Sequence, residues 1–343
     1  MPSDLETLIR VVLTEQAERA PHRATVLAGL RWARGRRPHR RLAVVAACVA
    51  VGLAAIGVPI GLHLTTQPLL AGSQVLHVQQ PDIPLPYRVT YLPAGYVASM
   101  RVATATDLAQ VWEPAGQGEV GGVPHQSDSF VQLDIFSAAA GDLAQTLSAS
   151  DAPKADISGV QGYVTDDTSE SDTGATLTGT TATWVPRRGV TLELTVRDIP
   201  DSYDVALRVA RSVVTGGIDV IAQPVSFGDL PAGYSDELEI QGTSPSRWTV
   251  SRTATGANHD LAITAIWSTA EPGLDDRTTA TVQGQQGWYG TPTASPATKG
   301  VVVALDGHWL TVTMPPSTDL ATLTRTANGV SVFPNVGFPW LGR

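Results

Sequence analysis

Two stretches of strict alternation organise the reading of this chain: Val190-Thr191-Leu192-Glu193-Leu194-Thr195-Val196 and His308-Trp309-Leu310-Thr311-Val312-Thr313-Met314. Apolar and polar residues change places along both, the pattern of a half-buried strand, and a glycine, Gly189 or Gly307, precedes each. Val131–Phe136 and Leu261–Trp267 are predicted strands on the same ground. Helical spacing then replaces alternation. Asp201 is predicted to cap a helix with Tyr203, Ala206, Leu207, Ala210 and Val213 on one face. Pro315-Pro316-Ser317 introduces a second, with Leu320, Leu323 and Ala327 on its face and Asn328-Gly329 as its stop.

These elements recur in order. Leu92-Pro93-Ala94-Gly95-Tyr96 reappears 138 residues later as Leu230-Pro231-Ala232-Gly233-Tyr234. Ile157 to Tyr163 finds a partner in Val282 to Trp288, with glycines at Gly159 and Gly162 against Gly284 and Gly287. Strands closed by one packing helix make an α+β domain. The pattern therefore predicts two tandem α+β domains, each an antiparallel sheet with a closing helix, over residues 87–217 and 224–334. Gly216-Gly217 and Gln223-Pro224 mark the joint. Residues 335–343 form a tail, and the apolar strip Phe333–Trp340 either docks back or presents a binding strip.

Ahead of the repeat the pattern changes. Leu42 to Leu62 carries no ionisable side chain except Cys48. Twenty-one such residues are long enough for a transmembrane helix. Residues 1–41 read as a short basic helix pair: Ser3-Asp4-Leu5-Glu6 forms a capping box, and Leu5, Leu8, Ile9 and Val12 follow at helical spacing until Pro21 interrupts them. That stripe has too little chain around it to be buried, so Leu5, Leu8, Ile9 and Val12 are the expected contacts for a partner. Residues 63–86 are Pro-rich and read as an extended linker.

Charge sharpens this plan. The chain has 343 residues and a net charge of −9, yet residues 1–41 hold nine arginines against four acids, a local charge of +5. Arg34, Arg36, Arg37, Arg40 and Arg41 flank the apolar run, which predicts membrane-lipid contact and a cytoplasmic N-terminus, with the C-terminal domains extracytoplasmic at a cell membrane. A DNA-binding reading needs a helix-turn-helix core for which 41 residues barely leave room, so no nucleic-acid partner is expected. One cysteine excludes a disulfide framework and a cysteine-based structural zinc site.

The order Leu-Pro-x-Gly-Tyr, a Gly-containing strand ending in an aromatic, a Thr183-Trp184 strand, Gly189, an alternating strand and a closing helix resembles a known domain. It is similar to the extracytoplasmic domain of bacterial membrane-anchored anti-sigma-factor-like proteins, here duplicated. The second copy has Val302-Val303 where the first has Thr183-Trp184. The resemblance implies a non-enzymatic single-pass envelope sensor or regulator, with an envelope ligand outside and a cytoplasmic protein partner such as a sigma factor within. The alternative is an envelope binding or scaffold module with no signalling role.

Enzyme chemistry finds no motif. There is no Gly-x-Ser-x-Gly elbow, phosphate loop, His-Glu-x-x-His or dinucleotide fingerprint. His77, His125, His259 and His308 lack ligand spacing. The cluster Asp166 to Asp172 offers oxygens for calcium but lacks the ordered spacing of a calcium loop, so an ordinary solvated loop is expected. No catalytic residue, metal or cofactor is assigned. Trp248, Trp267, Trp288 and Trp309 read as core aromatics of the second copy, with a ligand-lining role as the alternative.

Overall fold

The computed structural model describes residues 80–117, 119–120, 123–124, 127–137, 152–170, 176–217, 219–228, 234–256 and 262–343. The chain divides into two compact units, Met1–Leu64 with Ser169–Thr176, and Thr65–Thr168 with Leu177–Arg343. Nearly all described residues belong to the second unit.

Fourteen strands make its main sheet. The first seven are β1 (Tyr96–Thr104), β2 (Asp107–Pro114), β3 (Phe130–Ser137), β4 (Lys154–Ile157), β5 (Val160–Glu170), β6 (Thr176–Arg187) and β7 (Val190–Arg197), and helix α1 (Ser202–Arg211) follows. The second seven are β8 (Ser235–Ser244), β9 (Arg247–Thr255), β10 (Ala262–Ser268), β11 (Leu274–Val282), β12 (Gln285–Pro292), β13 (Lys299–Leu305) and β14 (His308–Met314), then helix α2 (Leu320–Asn328). Across the sheet the order is β11-β12-β13-β14-β10-β9-β8-β1-β2-β3-β7-β6-β5-β4. Outward from the central β1–β8 pair, both halves run through their strands in the same sequence.

Local chemistry explains the hairpins. Ile157 pairs with Val160, and Val282 with Gln285, so each turn has two residues, Ser158-Gly159 and Gln283-Gly284. All four have φ between 52° and 84°, the left-handed geometry of a type I′ turn, which suits the twist of the strands it joins. After each helix the chain returns to pair with the segment that precedes its half: Val213–Thr215 with Tyr87–Val89, and Val330–Val332 with Val225–Phe227.

Both cores lie on one face of the sheet. The first packs Leu133, Leu192, Leu194 and Val196 against Ala206, Val209 and Ala210 of α1. The second packs Ile240, Val250, Val301, Leu310 and Val312 against Leu323 and Ala327 of α2. Leu108 touches both. Each fully buried branched side chain contributes about 1.5–3 kcal/mol.

The expected fold class is corrected here. In place of two tandem α+β domains, each with its own sheet, the halves share one antiparallel sheet, because β1 and β8 pair edge to edge. They also interlock: Leu85 and Ile221, which flank the first half, are buried in the second core, and Gln223 Nε2 donates to Pro81 O. Of the residues expected to form a spacer, the described ones, 80–86, are folded in, as is the joint at Gln223-Pro224; residues 63–79 lie outside the described residues.

The transmembrane, single-pass description is corrected too. Among the described residues no helix is long and apolar enough to cross a membrane. α1 and α2 have ten and nine residues, which at about 1.5 Å per residue reach half of a bilayer core. Location at a cell membrane accordingly does not stand as a property of this structure. Residues 42–62, on which that span was placed, lie outside the described residues, as does the expected helix pair 1–41.

The helix starts differ from each other. Asp319 caps α2 as its position before an apolar run requires, Oδ1 accepting from Thr322 N at 2.8 Å. Asp201, the expected cap of α1, has φ 55° and makes no side-chain capping bond. An N-cap side chain ordinarily accepts from the first amides on an extended backbone, which Asp201 does not have.

Candidate functional site

An open concave feature lies where α1 begins. β5 ends in Asp166, Asp167 and Thr168, β6 supplies Thr178 and Gly179, and the loop from β7 to α1 supplies Asp198 to Asp201, with Ser202 and Tyr203 beyond. Together they line an open cleft of about 770 Å³.

Its walls are fixed by specific bonds. Asp198 and Asp201 both adopt left-handed backbone, φ 50° and 55°, which short polar side chains tolerate. Asp198 N donates to Thr178 O at 2.8 Å, which ties the loop to β6. Thr180 Oγ1 donates to Asp166 Oδ1 at 2.9 Å and lies 2.8 Å from Ser202 Oγ, so one hydroxyl links strand, cleft and helix. Arg197 is buried, and its Nη2 donates to Asp167 Oδ2 at 3.1 Å while its guanidinium lies 5.6 Å from the Phe130 ring centre. Four aspartates at one opening favour positively charged groups. No group of three or more potential metal ligands converges among the described residues.

A second place is electrostatically unusual. On the sheet face opposite the helices, β8 carries Glu237 and Glu239, both half-buried. Burial, reinforced by the Glu237 charge, pushes the Glu239 carboxyl up to about 7. Burial and then Asp236 raise Glu237. On the helix face of the same strand pair, Arg101 is buried beside Trp340, 4.2 Å from its ring centre, and donates to Val220 O at 2.8 Å. Burial lowers its guanidinium to about 10, opposed by Asp219, so it stays charged at neutral pH.

Leu5, Leu8, Ile9, Val12 and the arginines 34, 36, 37, 40 and 41 lie outside the described residues. So do His77, His125 and His259. His308 stacks on Trp248, ring centres 5.1 Å apart and 26° between planes, and meets Trp267 at the same distance. Trp248 and Trp267 are core residues, whereas Trp288 and Trp309 pair at 6.3 Å and are partly exposed. Of the acidic cluster, Asp166 and Asp167 reach the cleft, already bonded to Thr180 and Arg197. Asp198, Asp201, Arg197 and the Glu237/Glu239 pair carry no sequence motif. The available signal was charge within alternation: Arg197 closes a strand whose odd positions, Thr191, Glu193 and Thr195, are polar while the even ones are apolar.

No family model matches this chain. No curated protein matches it either. Among solved structures, a Bacteroides thetaiotaomicron protein is 12% identical over 44% of this chain and 49% of its own, with a TM-score of 0.25, so the chain spans about half of that protein's length. MucB in complex with periplasmic MucA is 9% identical, covering 69% of this chain and 93% of that one, at a TM-score of 0.20. The Pseudomonas aeruginosa MucA/MucB complex gives 11% identity with the same coverage, at 0.21. TM-scores this low fall short of a shared fold, and no function is taken from them.

Proposed function

We propose that this chain is a non-enzymatic regulatory protein that acts by binding another protein, in the manner of the anti-sigma-factor-like proteins its sequence resembles. The observation that carries the reading is the fused sheet. Its two cores are filled by side chains, and Leu85, Ile221 and the C-terminal Phe338 and Leu341 lock the halves into one body. Reactive-type side chains support the fold: Arg252 binds Asp236 and Gln223, Gln110 binds Tyr87 O, and Asp166 and Asp167 are held by Thr180 and Arg197. What is left for function is outer surface, including the aspartate-lined cleft, which suits basic side chains of a partner. In the finer form of this reading, residues 1–41, led by Leu5, Leu8, Ile9 and Val12, hold a sigma factor.

Co-purification of the full chain beside a variant lacking residues 1–30 tests it. A sigma factor recovered only with the intact N-terminus is the expected result. Partners unchanged by the deletion would make the protein a binding or scaffold module. Turnover of a substrate by the purified chain would overturn the non-enzymatic reading.

A further inference from the structure

The union of the two halves into one sheet rests on a single strand pair. β1 and β8 share five residue pairs, from Glu237 with Thr104 to Gln241 with Met100. Alternation sends two of these rows toward the helices, Leu238 with Ala103 and Ile240 with Arg101. There the Arg101 charge is used, by Val220 O and by Asp219 at 4.0 Å. The other three rows face away from the helices and place Glu237, Glu239 and Gln241 against Thr104, Val102 and Met100.

The surroundings of the two glutamates hold little to balance them. β9 presents Thr253, Ser251 and Thr249 beside them, and beyond β1 come Ala109 and Val111 of β2. Val102 and Val111 are each 1% exposed. The short hairpin of Glu119–Val120 with Val123–Pro124 rests against β8, and the charged residue of those strands is another acid. At the ends of β2 stand Asp107, bonded to Thr106 at 2.9 Å, and Glu113, bonded to Ser127 N at 2.8 Å. The basic residue on this side of β9 is Arg247, exposed and four positions from Ser251. Arg252 and Asp236 belong to the opposite face, where they bind each other. Glu237 and Glu239 thus sit two residues apart, about 7 Å along the strand, with no cation or hydrogen-bond donor bonded to either among the described residues.

We infer that Glu237 and Glu239 make the seam between the two halves proton-sensitive: the closed seam favours holding a proton between them, and ionisation of both weakens the β1–β8 pairing. Two like charges, half-buried and unbalanced, repel each other and lose hydration, and opening the seam relieves both costs. The upward shift of Glu239 to about 7 agrees in sign. A carboxyl raised in the closed state stabilises that state fully below its ordinary value near 4.5, and the contribution is lost as pH rises through about 7. The inference stands whether or not the protein binds a regulatory partner.

Hydrogen–deuterium exchange of the full chain between pH 5 and 8.5, normalised for intrinsic exchange, reads the seam directly. Peptides from β1 and β8 should open about tenfold more per pH unit from pH 5 to 7 and level off above that, while α1 and α2 peptides stay flat. Glu239→Gln should cut the trend to the part that the raised Glu237 carboxyl contributes. Should that variant not fold, Glu237→Gln removes the neighbouring charge, so opening should level off at a lower pH and rise less in total than in the wild-type chain. Seam peptides that follow the helices in the wild-type chain, or a trend unchanged by either substitution, would overturn the inference.

Discussion

Arg252 Nη1 donates to the backbone carbonyl of Val225 at 2.8 Å, binding a buried strand of the main sheet to the segment that leads into the second half. The first half uses the same device with a neutral group: Gln110 Nε2 donates to Tyr87 O at 3.1 Å, and Tyr87–Val89 leads into that half. Both carbonyls sit in short strand segments that would otherwise lack partners on that side. Arg252 also grips the Asp236 carboxylate and Gln223 Oε1, so one guanidinium joins β8, β9 and the joint between the halves.

Arg252→Leu should therefore be costly. It leaves Asp236, Gln223 and the Val225 carbonyl without their shared donor, and removing one member of a buried pair costs about 3–5 kcal/mol, with the lower end expected because Asp236 is partly exposed. Gln110→Leu strands one carbonyl and should cost about 1–3 kcal/mol. Urea unfolding of each variant measures both, and an Arg252→Leu midpoint equal to that of Gln110→Leu would contradict the assignment.

Gly242 tests the packing at the end of β8. An added Cβ would lie 2.8 Å from Trp248 Cα and 2.9 Å from its Cβ, and closer still to Arg247 O. Two of these neighbours are backbone, so β9 must shift. Gly242→Ala should destabilise by about 1–3 kcal/mol, whereas alanine at the open Gly337 should leave the unfolding midpoint unchanged.

The C-terminal tail is a structural strap. Gly342 N donates to Ala98 O and Ala98 N to Arg343 O, each at 2.9 Å, while Phe338 meets Trp248 edge-on at 5.0 Å. Phe338 and Leu341 are fully buried. Phe338→Ala should cost about 3–5 kcal/mol by cavity formation, and removal of residues 335–343 should cost more still. Thermal unfolding that is insensitive to both would show the strap to be dispensable.

Asp319 gives a pH-dependent cap. Its bonds from Thr322 hold the carboxyl below the usual carboxylate range. A lowered value means stability present above the unfolded value and lost as pH falls through the folded one. Asp319→Ala should lower the melting temperature at pH 7, and the difference from wild type should shrink as the pH falls below the usual carboxylate range. Asp319→Asn, which keeps a cap acceptor, should lose less at pH 7 and keep its cap in acid.

Much of the local structure was legible because its causes are local. Alternation through Leu192 and Leu310 chose the buried face, and Leu323 and Ala327 line one side of a helix whose stop is Gly329, whereas the stretches read as Gly-containing strands turn at Ser158-Gly159 and Gln283-Gly284. Asp201 was misread because capping depends on backbone geometry that residue identity does not dictate. The candidate site was hardly legible: Asp166 and Asp167 stood out as charge, but Asp198, Asp201 and Arg197 reach them only through the fold of β5, β6 and the β7–α1 loop.

By itself the sequence determined the alternating strands around Leu133, Leu192, Ala265 and Leu310, the two helices and the repeated order in which they come, since hydrophobic period acts within a few residues. Tertiary structure alone decided that the two halves are one sheet. Alternation tells Ile240 and Arg101 which way to face, but strand pairing is a matter of backbone hydrogen bonds that any extended segment can offer. Nothing in either strand names a partner more than 130 residues away. The same reason applies to Leu85, Ile221 and Phe338, whose apolar side chains announce burial without saying in which core, and to Glu239, whose charge is unremarkable until the seam places it beside Val102.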